Sequence, residues 1–342
     1  MTSAFASSLP LFVEESSVRV SAIVSSHLFA GECRVRGIAI IVIAVLLSSF
    51  SLSAEDSTSL ATKGAKIKVA KDGTATEIYL PPTLEMTLED YQAVGKLSTL
   101  KSIYSNAKGL ALNDQSAPEL AHLDHLEKFF SNGAELTDDG FKAFEGMKNL
   151  KTFGLDHWGW YLPQHLPNKG LLGPGLSHLA SCENLEAVRL GGCKVDNRVT
   201  EALAQIKSLQ SVDLQHTTAV SDEGIAALKA LPKLRIVRLS PQFSPRITDA
   251  ALAALGDIKT LEEIELNETW LTYEKGFSHL KDLASLKKLV LTKVVASEDD
   301  IAKLKADHPS AIVQWTQPDD ATIAKTKEQF QRFWEKKGTT NQ

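Results

Sequence analysis

Apolar residues recur along the chain with a long period. Leu100, Leu126, Leu150, Leu185, Leu209, Leu234, Leu261 and Leu286 are spaced by 26, 24, 35, 24, 25, 27 and 25 residues. Three positions after these anchors stand Ile103, Phe129, Phe153, Val188, Val212, Val237, Ile264 and Leu289, and five after, from the third unit on, stand Leu155, Leu190, Leu214, Leu239, Leu266 and Leu291. Two apolar positions flanking one variable residue is the alternation of a short strand with one buried face. Upstream of each anchor, apolar residues fall three, six and nine positions back, as in Leu231, Leu228 and Ile225 before Leu234. That spacing lays one apolar stripe along about two helical turns. Thr87, Thr137, Ser221, Thr248 and Ser297 precede acidic or small residues and are expected to cap these helices.

A period of 20–50 residues indicates stacked units, each unable to bury its apolar face alone. Ile78 and Leu80 extend the pattern upstream, and Val313 and Trp315 downstream, which brings the expected strands to about ten. Residues 66–80, with Asp72-Gly73 at the centre, read as a hairpin over the first edge. Residues 319–336 read as a last helix, with Ile323, Phe330 and Trp334 available to shield the other end.

The unit Leu185-x-x-Val188-x-Leu190-x-x-Cys193 resembles the leucine-rich-repeat signature in its cysteine-containing, ribonuclease-inhibitor-like form. Thr217 and Thr269 stand where Cys193 does in neighbouring units. The resemblance covers roughly residues 78–315. It implies an α/β solenoid, a right-handed β–α superhelix with a parallel sheet on the concave face and helices on the convex face. It also implies that the Cys193 position faces inward and satisfies the turn leaving the strand. The openings Leu136-Thr137-Asp138, Val220-Ser221-Asp222 and Ile247-Thr248-Asp249 look like repeats of secreted bacterial proteins, planctomycete ones especially. The first three units depart from the signature, with Ser105 and Ser131 where leucine is expected.

The N-terminus changes the picture. Arg34 and Arg36 precede an apolar run from Gly37 to Leu47, then small residues to Ala54, then Glu55-Asp56. That order matches a secretory signal, and the run is short of the roughly 20 residues that span a bilayer. The expected organisation is a leader and signal at 1–54, a cap hairpin with the first strand at 55–83, repeats at 84–315 and a capping helix with tail at 316–342. Residues 1–34 suit a signal poorly, and a start at a valine codon for Val35 fits better. The expected location is secreted, periplasmic or cell-envelope, with membrane anchoring by residues 37–50 as the alternative.

Within each strand the residue between the two buried positions points outward. These are Tyr79, Tyr104, Phe130, Gly154, Arg189, Asp213, Arg238, Glu265, Val290 and Gln314. The first three make an aromatic block and Arg189, Asp213, Arg238 and Glu265 alternate in charge, a pattern that allows lateral pairing worth roughly 0.2–1 kcal/mol per pair. The 35-residue spacing marks an insertion, residues 156–170, rich in His157, Trp158, Trp160 and Tyr161. Two readings of it stand: a binding loop over the concave face, with Gly154 leaving it room, or a plug packing on Phe130 and Tyr104.

Composition adds exclusions. The formal charge is −5 with no basic stripe, against a nucleic-acid partner. No phosphate loop, nucleophile elbow or paired-carboxylate motif stands out. His157 and His165 lack a third metal ligand at a diagnostic spacing. His122-Leu123-Asp124-His125 falls on a solvated helix face, and Cys182 and Cys193 read as buried thiols. The expectation is a non-enzymatic scaffold without cofactor, binding a protein on its concave surface. The alternatives are a glycan-binding protein using Trp158, Trp160 and Tyr161, or a structural envelope protein.

Overall fold

A computed structural model describes residues 57–109, 112–159, 173–241 and 246–340, all within one unit, Ser48–Gln342. The leader, the proposed start and most of the insertion lie outside the described residues. Eleven strands form one sheet: β1 (Lys66–Val69), β2 (Ala75–Leu80), β3 (Ser102–Ser105), β4 (Lys128–Asn132), β5 (Thr152–Asp156), β6 (Ala187–Gly191), β7 (Ser211–Thr217), β8 (Ile236–Pro241), β9 (Glu263–Asn267), β10 (Lys288–Thr292) and β11 (Ile312–Trp315). Their spatial order is their chain order. β1 pairs antiparallel with β2 through a turn in which Gly73 takes φ 86°, and every later pairing is parallel. A parallel pair needs a crossover, and here each crossover is a short helix or helical turn.

The register aligns the repeats residue by residue. Ile78, Ile103, Phe129, Phe153 and Val188 pair across β2–β6, and Val212, Val237, Ile264, Leu289 and Val313 continue the row to β11. These side chains, with the strand anchors and the helix stripe, make one continuous core. Ser105 and Ser131 hold the leucine positions of that core and are buried. The bulk they lack is supplied in the same stretch by Phe129, Phe141, Phe144 and Phe153, whose rings meet at 5.0–6.4 Å.

The crossovers are less helical than the apolar stripe suggests. Ala117–Leu120, Asp138–Phe144, Pro174–Ser181 and Phe277–Leu280 are 3₁₀ turns, whereas Leu88–Lys96, Asp249–Gly256 and Glu298–Asp307 are α-helices. Apolar spacing in steps of three suits the 3₁₀ period of 3.0 residues. The segment His122 to His125 is likewise a turn, not a helix face, with Leu123 buried. Thr87 and Ser297 form capping boxes and Thr137 and Thr248 cap N–H groups, but Ser221 makes no cap bond.

Ser221 instead belongs to a ladder that runs from unit to unit. The Asp114 carboxylate accepts the Thr137 N–H (2.8 Å) and hydroxyl (2.6 Å), Asp222 accepts both from Thr248 (2.8 and 2.7 Å), and Asp249 both from Thr272 (2.9 and 3.1 Å). Asn197 makes the equivalent pair with Ser221, accepting its N–H and donating to its hydroxyl, each at 2.9 Å. The hydroxyl-acid pairs in the sequence are therefore two half-joints, one looking back a unit and one forward. Before the insertion, where no such hydroxyl follows, Asp138 accepts from the Gly173 and Gly175 N–H groups at 3.1 and 2.8 Å. Asp249 titrates above its usual range because burial outweighs these bonds.

Candidate interaction face

The outward row predicted from the strands is one continuous line across the sheet. Tyr79 pairs with Tyr104, Tyr104 with Phe130, Phe130 with Gly154 and Gly154 with Arg189, and the register carries on through Asp213, Arg238, Glu265, Val290 and Gln314. Strands about 4.8 Å apart bring identical positions within stacking reach. Tyr79 and Tyr104 stack with ring centres 5.6 Å apart, and Tyr104 and Phe130 at 4.5 Å and 12°. The three rings remain partly exposed. Their facing flat surfaces are occupied by one another, which leaves mainly edges for a partner.

Both ends of the stack are closed. Lys66 Nζ stands 6.0 Å from the Tyr79 ring centre. At the other end the Phe130 ring lies across Gly154, where an added Cβ would come within 2.8 Å of the ring. The room expected above Gly154 for the insertion is thus taken by Phe130. The Tyr104 hydroxyl titrates above its ordinary value, chiefly through burial, with an Asn106 hydrogen bond acting the other way.

The alternating charges pair as expected and recruit further partners. Arg189 meets Asp213 at 3.6 Å and holds Asp156 with Nε at 3.1 Å. Arg238 meets Glu265 at 3.2 Å and Glu263 at 2.9 Å, while Gln215 donates to Glu265 at 2.9 Å. Asp213 is buried beneath this cluster. Burial pushes its carboxyl above the ordinary range, with Arg189 opposing. Burial also pulls on the Arg189 guanidinium, but Asp156 and Asp213 outweigh it and the net shift is upward. Asp156, Glu263 and Gln215 were missed in the sequence because only the central outward residue of each strand was read. They occupy the outward positions on either side of it.

His157 is exposed, adopts φ 55° and has Nδ1 3.0 Å from Asn132 Oδ1. Trp158 corrects an expectation: its side chain is fully buried and cannot offer a surface to a partner. Its indole N–H donates to the Leu136 carbonyl at 2.9 Å, and its ring meets Phe141 edge-on at 5.0 Å. It plugs the core beneath the sheet and does not pack on Phe130 or Tyr104. The register accounts for this, since Trp158 follows Leu155 by three residues as Cys193 follows Leu190. Ala134, Trp158, Cys193, Thr217, Thr269 and Val294 form one buried row. Trp160, Tyr161 and His165 lie outside the described residues.

Cys193 Sγ donates to the Leu155 carbonyl at 3.3 Å, and the Thr217 and Thr269 hydroxyls donate to Leu214 and Ile247 at 3.1 and 2.7 Å. Cys182 and Cys193 are both free, and burial raises both thiols above their usual range. Among the described residues no group of three His, Cys, Asp or Glu side chains is placed to hold a metal. Ser240, His216 and Glu268 approach each other, but the hydroxyl (3.3 Å) and the carboxylate (3.9 Å) address the same ring nitrogen, Nδ1. A hydrolytic relay needs the acid and the nucleophile on opposite nitrogens.

No family model and no curated protein matches the chain. Similar solved structures include an internalin of Listeria monocytogenes, at 17% identity and TM-score 0.39, covering 69% of this chain and 74% of that one. An internalin C2 of the same organism is 17% identical at TM-score 0.45, covering 69% and 87%. TLR13, solved in complex with ssRNA13, is 17% identical at TM-score 0.48, covering 70% of this chain, which spans 35% of TLR13. The chain's own period, its parallel register from strand to strand and its inward turn row give it the architecture of a leucine-rich-repeat solenoid.

Proposed function

We propose that this chain is a non-enzymatic scaffold that holds a protein partner on the outward face of its sheet. The carrying observation is the stack of Tyr79, Tyr104 and Phe130, aligned on adjacent strands and left partly exposed. Large aromatic side chains contribute disproportionately at protein interfaces, and solvated strand positions have no need of them. Arg189, Arg238 and Glu265 border the stack as a rim whose charges are already paired, with Asp213 buried beneath them and so not offered to a partner, contrary to the sequence expectation; this favours orientation of a partner over attraction of a polyanion. That pairing supports a protein over a nucleic acid. The occupied ring faces speak against sugar stacking on this ladder, leaving a glycan only the insertion residues Trp160 and Tyr161. The basic, apolar, small, polar order of residues 34–56 supports export to the cell envelope or beyond.

The test is affinity capture from the native envelope fraction with the wild-type chain and with a Tyr79→Ser, Tyr104→Ser variant of unchanged circular dichroism. The variant is expected to lose the wild-type partner at least tenfold. Undiminished capture by the variant overturns the assignment of the face.

A further inference from the structure

The two edges of the sheet are finished differently. β1 carries Lys66 and Lys68, the latter paired with Glu77 at 2.8 Å, and its register slips between Lys68 and Val69. Lysines and irregular spacing on an outer strand discourage further pairing. β11 has neither device. Residues 310–317 contain no charged side chain, and Pro309 and Pro318 bracket them. Ile312 is 60% exposed. Val313 and Trp315 extend the core rows of Leu289 and Leu291 but are only half-buried, although the Trp315 indole is tied to the Val294 carbonyl at 3.0 Å.

The backbone is also poised. Ile312 N–H donates to the Lys287 carbonyl at 2.8 Å. In a parallel ladder alternate residues address opposite neighbours, so the N–H and C=O groups of Val313 and Trp315 address the open side. Among the described side chains of the last helix, Asp320–Thr340, Phe330 meets Trp270, just beyond β9, at 6.2 Å, and Lys327 stands 5.6 Å over the same ring.

We infer that β11 is a self-association edge, on which a second copy of this chain lays its own β11 antiparallel about a two-fold axis through Val313. An uncharged strand meets its own image without repulsion. In this register Val313 exchanges both backbone hydrogen bonds with Val313 of the second copy. On the inward side Trp315 meets Ala311 of the second copy, large against small, and on the outward side Ile312 meets Gln314. Moving the axis by one residue sets Trp315 against Val313 or Pro309 instead. Head-to-tail growth would need the lysine-bearing β1, so association closes at two chains. So short an edge buries less than a standard interface, which makes the pair a weak, transient one and puts its test in the range of about 10–100 µM.

Sedimentation velocity on the full chain from about 1 to about 200 µM, a span that brackets this range, tests the inference. The wild-type weight-average mass is expected to climb from one chain toward two. Ile312→Lys places a charge on the edge and keeps the mass at one chain. Val313→Pro does the same by deleting an N–H that serves no ladder bond within the chain. Both variants are read beside their far-UV circular dichroism, which remains wild-type. Val313→Cys, oxidised by exchange with a small-molecule disulfide that is itself reduced to thiol, is expected to give a disulfide-linked dimer, because directly bonded antiparallel residues lie about 5.5 Å apart at Cα. A wild-type chain that stays single, growth past two chains, or a dimer that persists in both edge variants overturns the inference. So does a single wild-type chain that binds an added uncharged hexapeptide, which assigns the edge to another partner.

Discussion

Replacing Asp222 by alanine tests whether the inter-unit ladder holds the repeats together. Asp222 accepts the Thr248 N–H at 2.8 Å and the Thr248 hydroxyl at 2.7 Å. Hydrogen bonds to a charged acceptor contribute about 1.5–3 kcal/mol each, and half-burial places Asp222 at the low end, so Asp222→Ala is expected to cost about 2–3 kcal/mol. Thr248→Ala removes the hydroxyl bond and the cap on the Ala250 N–H (3.3 Å), together about 2–3.5 kcal/mol. The double variant should fall short of the sum by about 1.5 kcal/mol, the shared hydroxyl–carboxylate bond. Asp222→Asn should cost about half as much as alanine, because an amide already fills this role between Asn197 and Ser221. Urea unfolding of the four proteins, followed by far-UV circular dichroism at constant m-value, supplies the cycle. A coupling below about 0.3 kcal/mol, or an Asp222→Ala loss no larger than an ordinary surface change of about 0.5 kcal/mol, would refute the ladder as a stabilising joint.

Trp158→Ala should destabilise by about 3–5 kcal/mol, whereas Trp158→Phe should lose about 1–3 kcal/mol by stranding the Leu136 carbonyl; thermal melts read both. Lys293 sits at φ 53°, where a side chain is strained, and its Glu268 contact is exposed. Lys293→Gly is therefore expected to add about 0.5–1 kcal/mol in urea unfolding, and Lys293→Val to subtract. For Asp213 the folded carboxyl lies above its unfolded value. Its contribution is complete below the unfolded value near 3.8 and fades as pH rises through the folded one. Asp213→Asn should accordingly gain on the wild type as pH rises above the unfolded value near 3.8, and a difference that stays flat with pH would remove the burial argument.

The inward rows were legible in the sequence because a strand face repeats every second residue and one leucine per unit pins the register. The same logic located the aromatic and charged outward line. The helix type was not legible from apolarity alone, since a 3₁₀ turn and an α-helix both bury positions three apart. Trp158 was misplaced through its company: its aromatic neighbours suggested a loop, while its distance from Leu155 already assigned it to the buried turn row. The Thr-Asp pairs illustrate another limit. A hydroxyl before a helix announces a cap, but the carboxylate it meets lies a full unit away, and only the stacked structure brings Asp222 to Thr248.

The offset of that ladder also bears on how such a chain changes length. Each joint is divided between consecutive units, so a duplicated unit arrives with one half for the unit before it and the other for the unit after. Copying the 27 residues from Asp222 to Thr248 would leave no half-joint unmatched. Where the rule is broken, ahead of residues 160–172, Asp138 turns to the Gly173 and Gly175 amides that follow. Those donors come from glycines, since an added Cβ at Gly173 or Gly175 would lie 2.7 or 2.3 Å from backbone atoms, so the far side of this seam is restricted in sequence. The scaffold is thus extendable by whole units where a hydroxyl–acid pair opens the unit, as at Ser221-Asp222 and Thr248-Asp249.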